Sequence, residues 1–280
     1  MRIGRFEAIL LLGGPLLFLL LFFVVPLLVM GVASLQTKGG AFTAVHYVKV
    51  STDTYYWGVL IDTFEIALWI MLVVFVLGYA LAYYLTFYVK SRLWRRVIYV
   101  TLVTPLFTSN IVRTFGWIVL LGRKGIVNEG LIASGVISEP LQLIFSKVGV
   151  IIALGYILLP FMVLIIGSVL QNMSRSLLDA AHDLGARPIV AFLKVTFPLS
   201  LPGVIAGSLI VFTLSVSAYV TPSIMSGGRL NVMAMLIFDQ YMVLFDYNLG
   251  ATLAIMLLAM TLLIMGAYVL VLERRSRMIA

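Results

Sequence analysis

Long apolar runs separated by short polar stretches fill the chain from residue 8 to residue 272. A helix crossing a bilayer needs about 20 mostly apolar residues, because it rises about 1.5 Å per residue through roughly 30 Å of hydrocarbon. Six segments come up to that length: Ala8–Leu35, Phe64–Val89, Val97–Leu121, Val148–Leu170, Gly203–Val220 and Leu249–Leu272. The fifth is the shortest and is spotted with polar residues. The runs are longer than barrel strands and lack their alternation. The pattern predicts an all-α polytopic membrane protein, one transmembrane domain over residues 1–280 with six helices.

The first run follows Arg2 and Arg5, as a secretory signal would, and Gly31-Val32-Ala33 offers a weak cleavage site. Its apolar stretch is about twice the 7–15 residues of a signal core, so it is expected to stay as a span. Pro15 and Pro26 should bend it, which neighbouring helices tolerate.

Composition sharpens the class. The chain is 62% hydrophobic and 11% charged, whereas a soluble domain is near half apolar and a quarter charged. A soluble enzyme is excluded. There is no cysteine, which removes disulfides, thiolate metal sites and cysteine nucleophiles.

The formal net charge is +8, and its placement gives an orientation. Twelve basic residues (Arg2, Arg5, Lys90, Arg92, Arg95, Arg96, Arg175, Arg187, Lys194, Arg274, Arg275, Arg277) fall on one side of the six spans. Six (Lys38, Lys49, Arg123, Lys124, Lys147, Arg229) fall on the other, balanced there by six acids, while Arg113 and Glu65 cancel within the spans. The excess marks the cytoplasmic face, with both termini inside. What would suggest a nucleic-acid partner in a soluble chain is here a topology signal.

No loop holds a soluble domain or a G-x-x-x-x-G-K-[ST] nucleotide loop; Gly122-Arg123-Lys124-Gly125 is too short for one. Any ATP chemistry would belong to another chain. The halves show no clear repeat, so the usual pointer to an inverted-repeat carrier is missing. On the outer side, residues 125–140 and 233–241 read as short interfacial helices, the stretch of the second opening with Thr221-Pro222 and turning at Gly227-Gly228.

The most informative segment is the inner loop at 176–202, SLLDAAHDLGARPIVAFLKVTFPLSLP. Leu177, Ala181 and Leu184 share one helical stripe; Asp179, Asp183 and Arg187 share another, with Asp183 and Arg187 in the favourable order for a surface pair. Gly185 can end a first helix and Pro188 can open a second, Pro188–Lys194. Pro198 and Pro202 are then expected to stop the loop and start the fifth span. Asp179, His182 and Asp183 lack supporting ligands elsewhere, so no metal site is expected.

This loop resembles the EAA signature of ABC-importer permeases: Asp179-Ala180-Ala181, Gly185 and Val195-Thr196-Phe197-Pro198 match its spacing, with Asp for Glu, Val for Ile and Phe for Leu. Four further stretches, Ile111–Trp117, Leu120–Arg123, Leu158–Met162 and Tyr219–Pro222, resemble spermidine/putrescine-type permeases, and the long first span favours their first-permease type. The resemblance implies a type I importer permease fold in a bacterial inner membrane. It also implies a coupling role for Asp179, Ala180, Ala181, Asp183, Leu184, Gly185, Arg187, Pro188 and Pro198. The implied partners are a cytoplasmic ABC ATPase dimer, a second permease and an extracytoplasmic solute-binding protein. The chain itself would be no enzyme and bind no cofactor, ATP and magnesium staying on the ATPase.

Arg113 lies inside the third span, where an ionisable residue is costly and marks a functional site by default. Thr108, Asn110, Arg113, Trp117, Tyr156, Ser217 and Tyr219 are the candidates for the translocation path. Arg113 is equally readable as an interhelical tie, for instance to Glu65. A polyamine cargo would favour carboxylates or an aromatic cage; Ser217-Ala218 stand where some polyamine-type permeases carry an acid, so an amino-acid-like cargo is nearly as well supported. Gly78 and Ala82 form a small-xxx-small packing pair. The rival classes are an ion-coupled secondary carrier, for which the spans offer Glu65 alone as a coupling acid, and a membrane-embedded enzyme or scaffold. An enzyme would need an acid/base or metal constellation that two scattered histidines do not supply.

Overall fold

The computed structural model describes residues 5–277, with the side chains of 12–174, 176–181 and 183–272. Arg2 lies outside the described residues, as do the side chains of Arg5, Arg175, His182, Arg274, Arg275 and Arg277.

Among the described residues, fourteen α-helical segments follow in chain order. The first is α1 (Arg5–Leu19), continued through a π-turn at Leu20–Val24 into α2 (Val25–Ser34). Next come α3 (Val45–Thr52), the 34-residue α4 (Thr54–Phe87) and α5 (Arg92–Val103). A 3₁₀ turn at Thr104–Phe107 separates α5 from α6 (Asn110–Leu121), which leads to α7 (Ile126–Ala133) and α8 (Lys147–Gln171). After α9 (Arg175–Asp183), α10 (Pro188–Ala191) passes through a π-turn at Phe192–Thr196 into α11 (Phe197–Val216). The remainder is α12 (Val220–Met225), α13 (Met233–Met242) and α14 (Tyr247–Arg277). Among the described residues there is no strand beyond an isolated bridge between Gln36 and Phe42.

Five helical stretches are long and apolar enough to cross a membrane, and a sixth is so if a bent pair counts as one span. That pair, Arg92–Phe107 with Asn110–Ala133, turns by 106°. The continuous helix expected over Val97–Leu121 is therefore two helices. Pro105 lacks a backbone donor and so removes one bond of the helix ladder, while Thr104 before it stays helical with φ −48° and ψ −42°. Thr108 is extended, with φ −97° and ψ 152°.

Two other prolines are absorbed without a break. Pro26 and Pro198 each follow a π-turn by the same offset, Leu20–Val24 and Phe192–Thr196. A proline ring clashes with the carbonyl four residues back, here Phe22 and Lys194, and both lie inside the widened turn. So Pro198 does not stop the inner loop as expected: helix runs on from Pro188 to Val216.

The chain divides into two compact units, Met1–Gly58 with Leu236–Met260 and Val59–Met235 with Thr261–Ala280. In the first, Asn248 Nδ2 and Thr252 Oγ1 donate to the carbonyls of Ala33 and Ser34 at 2.8 and 3.1 Å. Ser34 also meets the Tyr47 hydroxyl at 2.8 Å, so the end of α2 is fastened on two sides. Every side chain from Leu12 to Val29 is exposed, as a lipid-facing run permits.

The second unit is built on α4, α8 and α11. Ile70, Val74, Ala82, Val150, Met162, Ile166 and Val211 are fully buried there. Glycine makes the close approach possible: a Cβ at Gly78 would lie 2.8 Å from Met162 Cγ, and one at Gly207 2.7 Å from Met162 Sδ. Small residues at such crossings let helices pack without a hydrophobic driving force from lipid.

Candidate functional site

The inner loop folds as a helix, a turn and a second helix. Leu184 N–H reaches Ala180 O at 3.1 Å and Ala186 N–H reaches Ala181 O at 3.0 Å, with Gly185 between them at φ +78°. That left-handed cap closes α9, and glycine takes it without strain. Arg187 is then extended, φ −63° and ψ 151°, and caps α10 with Pro188 in its first turn. The turn carries Arg187 off the helix of Asp183, so the expected stripe of Asp179, Asp183 and Arg187 ends at Asp183. Among the described residues Asp183 and Arg187 form no ion pair.

Asp179, Ala180, Asp183, Gly185, Arg187 and Pro188 are exposed, while Ala181 and Pro198 are half-buried. Leu184 is 89% exposed and Leu177 is exposed beside it. The apolar stripe of α9 thus finds little cover within its own chain. Helix α9 packs on α10 and the π-turn at Phe192–Thr196.

That π-turn is the joint between the loop and the spans. Phe192 meets Tyr79 and Tyr83 of α4 edge-on, with ring centroids 5.7 and 5.4 Å apart, and tilts against Phe197 at 6.2 Å. Tyr79 also lies 5.8 Å from Phe197 and shares a 2.9 Å hydrogen bond with Ser200 of α11. Aromatic pairs at these distances favour such tilted and edge-on geometries. Sequence reading missed this cluster, because its members lie more than a hundred residues apart and each reads alone as ordinary packing.

The broken span gathers part of the other candidate set. Thr104, Thr108, Ser109 and Asn110 are exposed at the break. Arg113 donates through Nη2 to Asn110 Oδ1, while its Nε and Nη1 are enclosed and unpartnered among the described residues. Glu65, considered above as a tie for Arg113, is instead bound by Lys147, which reaches Asp62 at 2.7 Å and Glu65 at 2.5 Å. One turn along α6, Thr114 faces Thr221 of α12 at 3.3 Å, and Trp117 meets Tyr156 of α8 edge-on at 5.4 Å. Tyr156 also lines a cavity of about 340 Å³ with Val97, Ile98, Thr101, Leu102, Pro105 and Leu159.

Asn110, Arg113, Trp117 and Tyr156 are thus one neighbourhood. The hydroxyl of Thr108 turns back to Pro105 O at 2.8 Å, and that of Ser217 to Thr213 O at 3.0 Å. Tyr219 sits at the start of α12, two residues before Thr221. In α7, Asn128 is wholly buried: its amide donates to Gly122 O and Leu141 O, and its carbonyl accepts from Leu141 N–H at 2.8 Å.

Long apolar helices, one of them opened by a polar break, with an uncovered amphipathic lever outside the spans, are the build of a transport permease. The comparisons give the family. Residues 75–277 match the model of the binding-protein-dependent transport system inner membrane component, and the chain belongs to that family. It is 33% identical over 267 residues to the spermidine/putrescine transport system permease protein PotB of Escherichia coli (strain K12), covering 93% of this chain and 94% of the relative. The PotB protein of Salmonella typhimurium (strain LT2) is 32% identical over 267 residues, 93% of this chain and 91% of its own length. Among solved structures, a bacterial ABC transporter that imports the acidic polysaccharide alginate superposes with a TM-score of 0.75 at 16% identity, over 98% of this chain and 96% of that one.

The chain is accordingly a multi-pass inner-membrane permease of an ABC importer. Permeases of this family are not enzymes themselves.

Proposed function

We propose that this chain forms half of the translocation path of an ATP-driven importer and couples it to a cytoplasmic ABC ATPase dimer through residues 176–202. The observation that carries the reading is the lever itself. Helix α9 presents Leu177 and Leu184 to the outside, is ended by Gly185, and rests on a π-turn locked by Phe192 to α4. A push on Leu184 therefore has a packed route into two spans. Asp179, Ala180, Ala181, Asp183, Arg187, Pro188 and Pro198 complete this surface and its hinge. ATP and magnesium act on the ATPase, and this chain supplies no cofactor site.

The distribution of Lys and Arg supports an orientation with both termini and this loop in the cytoplasm. The second half of the path is a second permease subunit, in the arrangement of a heterodimer, and solute is delivered by an extracytoplasmic binding protein. The path runs beside the break at Thr104–Asn110, past Arg113, Trp117, Tyr156, Ser217 and Tyr219. Its cargo is a small organic solute of the polyamine or amino-acid type. The PotB likeness and the Trp117–Tyr156 pair favour the first, since aromatic faces attract cations. The absence of a carboxylate among the path candidates favours the second.

The test is uptake by proteoliposomes holding this chain with its ATPase, second permease and binding protein. ATP-dependent, binding-protein-dependent accumulation of spermidine, putrescine or an amino acid is expected. Accumulation by this chain alone, driven by an ion gradient, would overturn the reading.

A further inference from the structure

The corner between α4 and α5 carries charge that the translocation path and the coupling loop do not use. Lys90, Arg92, Arg95 and Arg96 fall within seven residues, and no acid occurs between Glu65 and Glu129. Arg95 is engaged locally, donating from Nη2 to Val89 O at 2.7 Å and so bracing the turn. Lys90, Arg92 and Arg96 are exposed and form no ion pair among the described residues. They stand among exposed apolar and aromatic groups: Leu93 is 69% and Trp94 64% exposed, and Tyr84 and Tyr88 stack at 5.9 Å with both rings open.

The helical arrangement separates these two chemistries. At about 100° per residue, Arg92, Arg95 and Arg96 share one face of α5, while Leu93, Trp94, Val97 and Val100 share the other. A solvated loop would have no use for Leu93, Trp94 and Val97 exposed on one face. A buried protein contact would be a poor place for three unpaired cations. A bilayer surface accommodates both, with indole and leucine at the acyl boundary and guanidinium groups at the phosphates.

We infer that Lys90, Arg92 and Arg96, framed by Trp94, Tyr84 and Tyr88, bind the headgroup phosphate of an anionic phospholipid. The occupant is a lipid because charge complementarity and the adjoining apolar face are satisfied together only by a headgroup with chains. Each cation near an anionic surface adds to retention, and the contribution is screened by salt.

Native mass spectrometry of the full-length chain, purified in micelles with equimolar phosphatidylglycerol and phosphatidylcholine, tests this. The wild type should retain phosphatidylglycerol over phosphatidylcholine by about five-fold or more, which even one cation at an anionic surface suffices to give. The triple variant K90Q/R92Q/R96Q should fall to parity. The charge-keeping variant K90R/R92K/R96K should keep the preference, and so should R123Q/K124Q, which removes two cations elsewhere. Parity in the wild type, an unchanged preference in the triple variant, or an equal loss in R123Q/K124Q would overturn the site. An unchanged preference with loss of the co-purified ATPase would assign the patch to the ATPase and also overturn it. Should the triple variant aggregate, the wild type decides by itself: its preference must vanish in 1 M salt, where screening acts within about 3 Å.

Discussion

The phenolic oxygen of Tyr79 lies 2.9 Å from the hydroxyl of Ser200, in a buried contact that joins α4 to α11 across 121 residues of sequence. Ser200 Oγ also donates to Phe197 O at 2.9 Å, so Tyr79 is the donor of the pair. Phe192 packs edge-on against the same Tyr79 ring. Movement at the inner loop therefore meets α4 and α11 at one joint. Tyr79→Phe should cost about 1 kcal/mol of stability, the usual net worth of a hydrogen bond, with Ser200 still satisfied by Phe197. Phe192→Ala should do more, lowering solute moved per ATP by about ten-fold, equivalent to about 1.4 kcal/mol of lost coupling. Thermal melts check the first, and paired uptake and ATPase assays the second.

At the crossing of α8 with α4 and α11, Gly207 and Gly78 both press on Met162. Gly207→Ala places a Cβ 2.7 Å from the Met162 sulfur and should destabilise by about 1–3 kcal/mol, as overpacking does. Met162→Ala in the same chain should relieve that clash. A double-mutant cycle in detergent should therefore show the Gly207→Ala penalty shrinking when Met162 is removed.

Asn128 makes three hydrogen bonds from a fully buried position. Asn128→Ala leaves those groups unsatisfied and should cost about 1–3 kcal/mol. Hydrogen exchange gives a local readout: the Leu141 amide, now accepted by Asn128 Oδ1, should exchange much faster in the variant.

Two guanidinium nitrogens of Arg113, Nε and Nη1, are enclosed without a partner among the described residues. If it serves the path, Arg113→Ala should insert and assemble normally yet lose about ten-fold or more of uptake, the loss of one charged contact in the transition between states. Arg113→Ala with full uptake and full assembly would remove it from the path.

Much of this organisation is legible in the sequence, for definite reasons. Apolar length alone locates the long helices, which overlap the expected runs, but α4 and α11 begin earlier and the third is broken and continues to Ala133. The helix end at Gly185 follows from the conformational freedom of glycine. The break at Thr104–Phe107 was signalled by Pro105 beside Thr104, Thr108 and Ser109, but an apolar window averages across it. The two π-turns carry no composition signal; they show only once the carbonyls behind Pro26 and Pro198 are placed. Long-range partners are the least legible. Lys147 reads as one outer charge until α8 brings it between Asp62 and Glu65, and Asn128 reads as the polar side of an interfacial helix until its three bonds are seen. Phe192 reads as generic apolar filling until Tyr79 and Tyr83 arrive from α4.

The central claim is that α9 is the docking lever for the ATPase, and the absence of cysteine in the chain permits a direct measurement. Leu184→Cys introduces a unique thiol at a position of the lever that is 89% exposed, and Ser134→Cys introduces one beyond α7 as a control. In the assembled importer, a short bifunctional crosslinker should join Cys at 184 to the ATPase, with a yield that changes when ATP is added, while Cys at 134 gives no such product. No adduct at 184, or equal adducts at 184 and 134, would contradict the account.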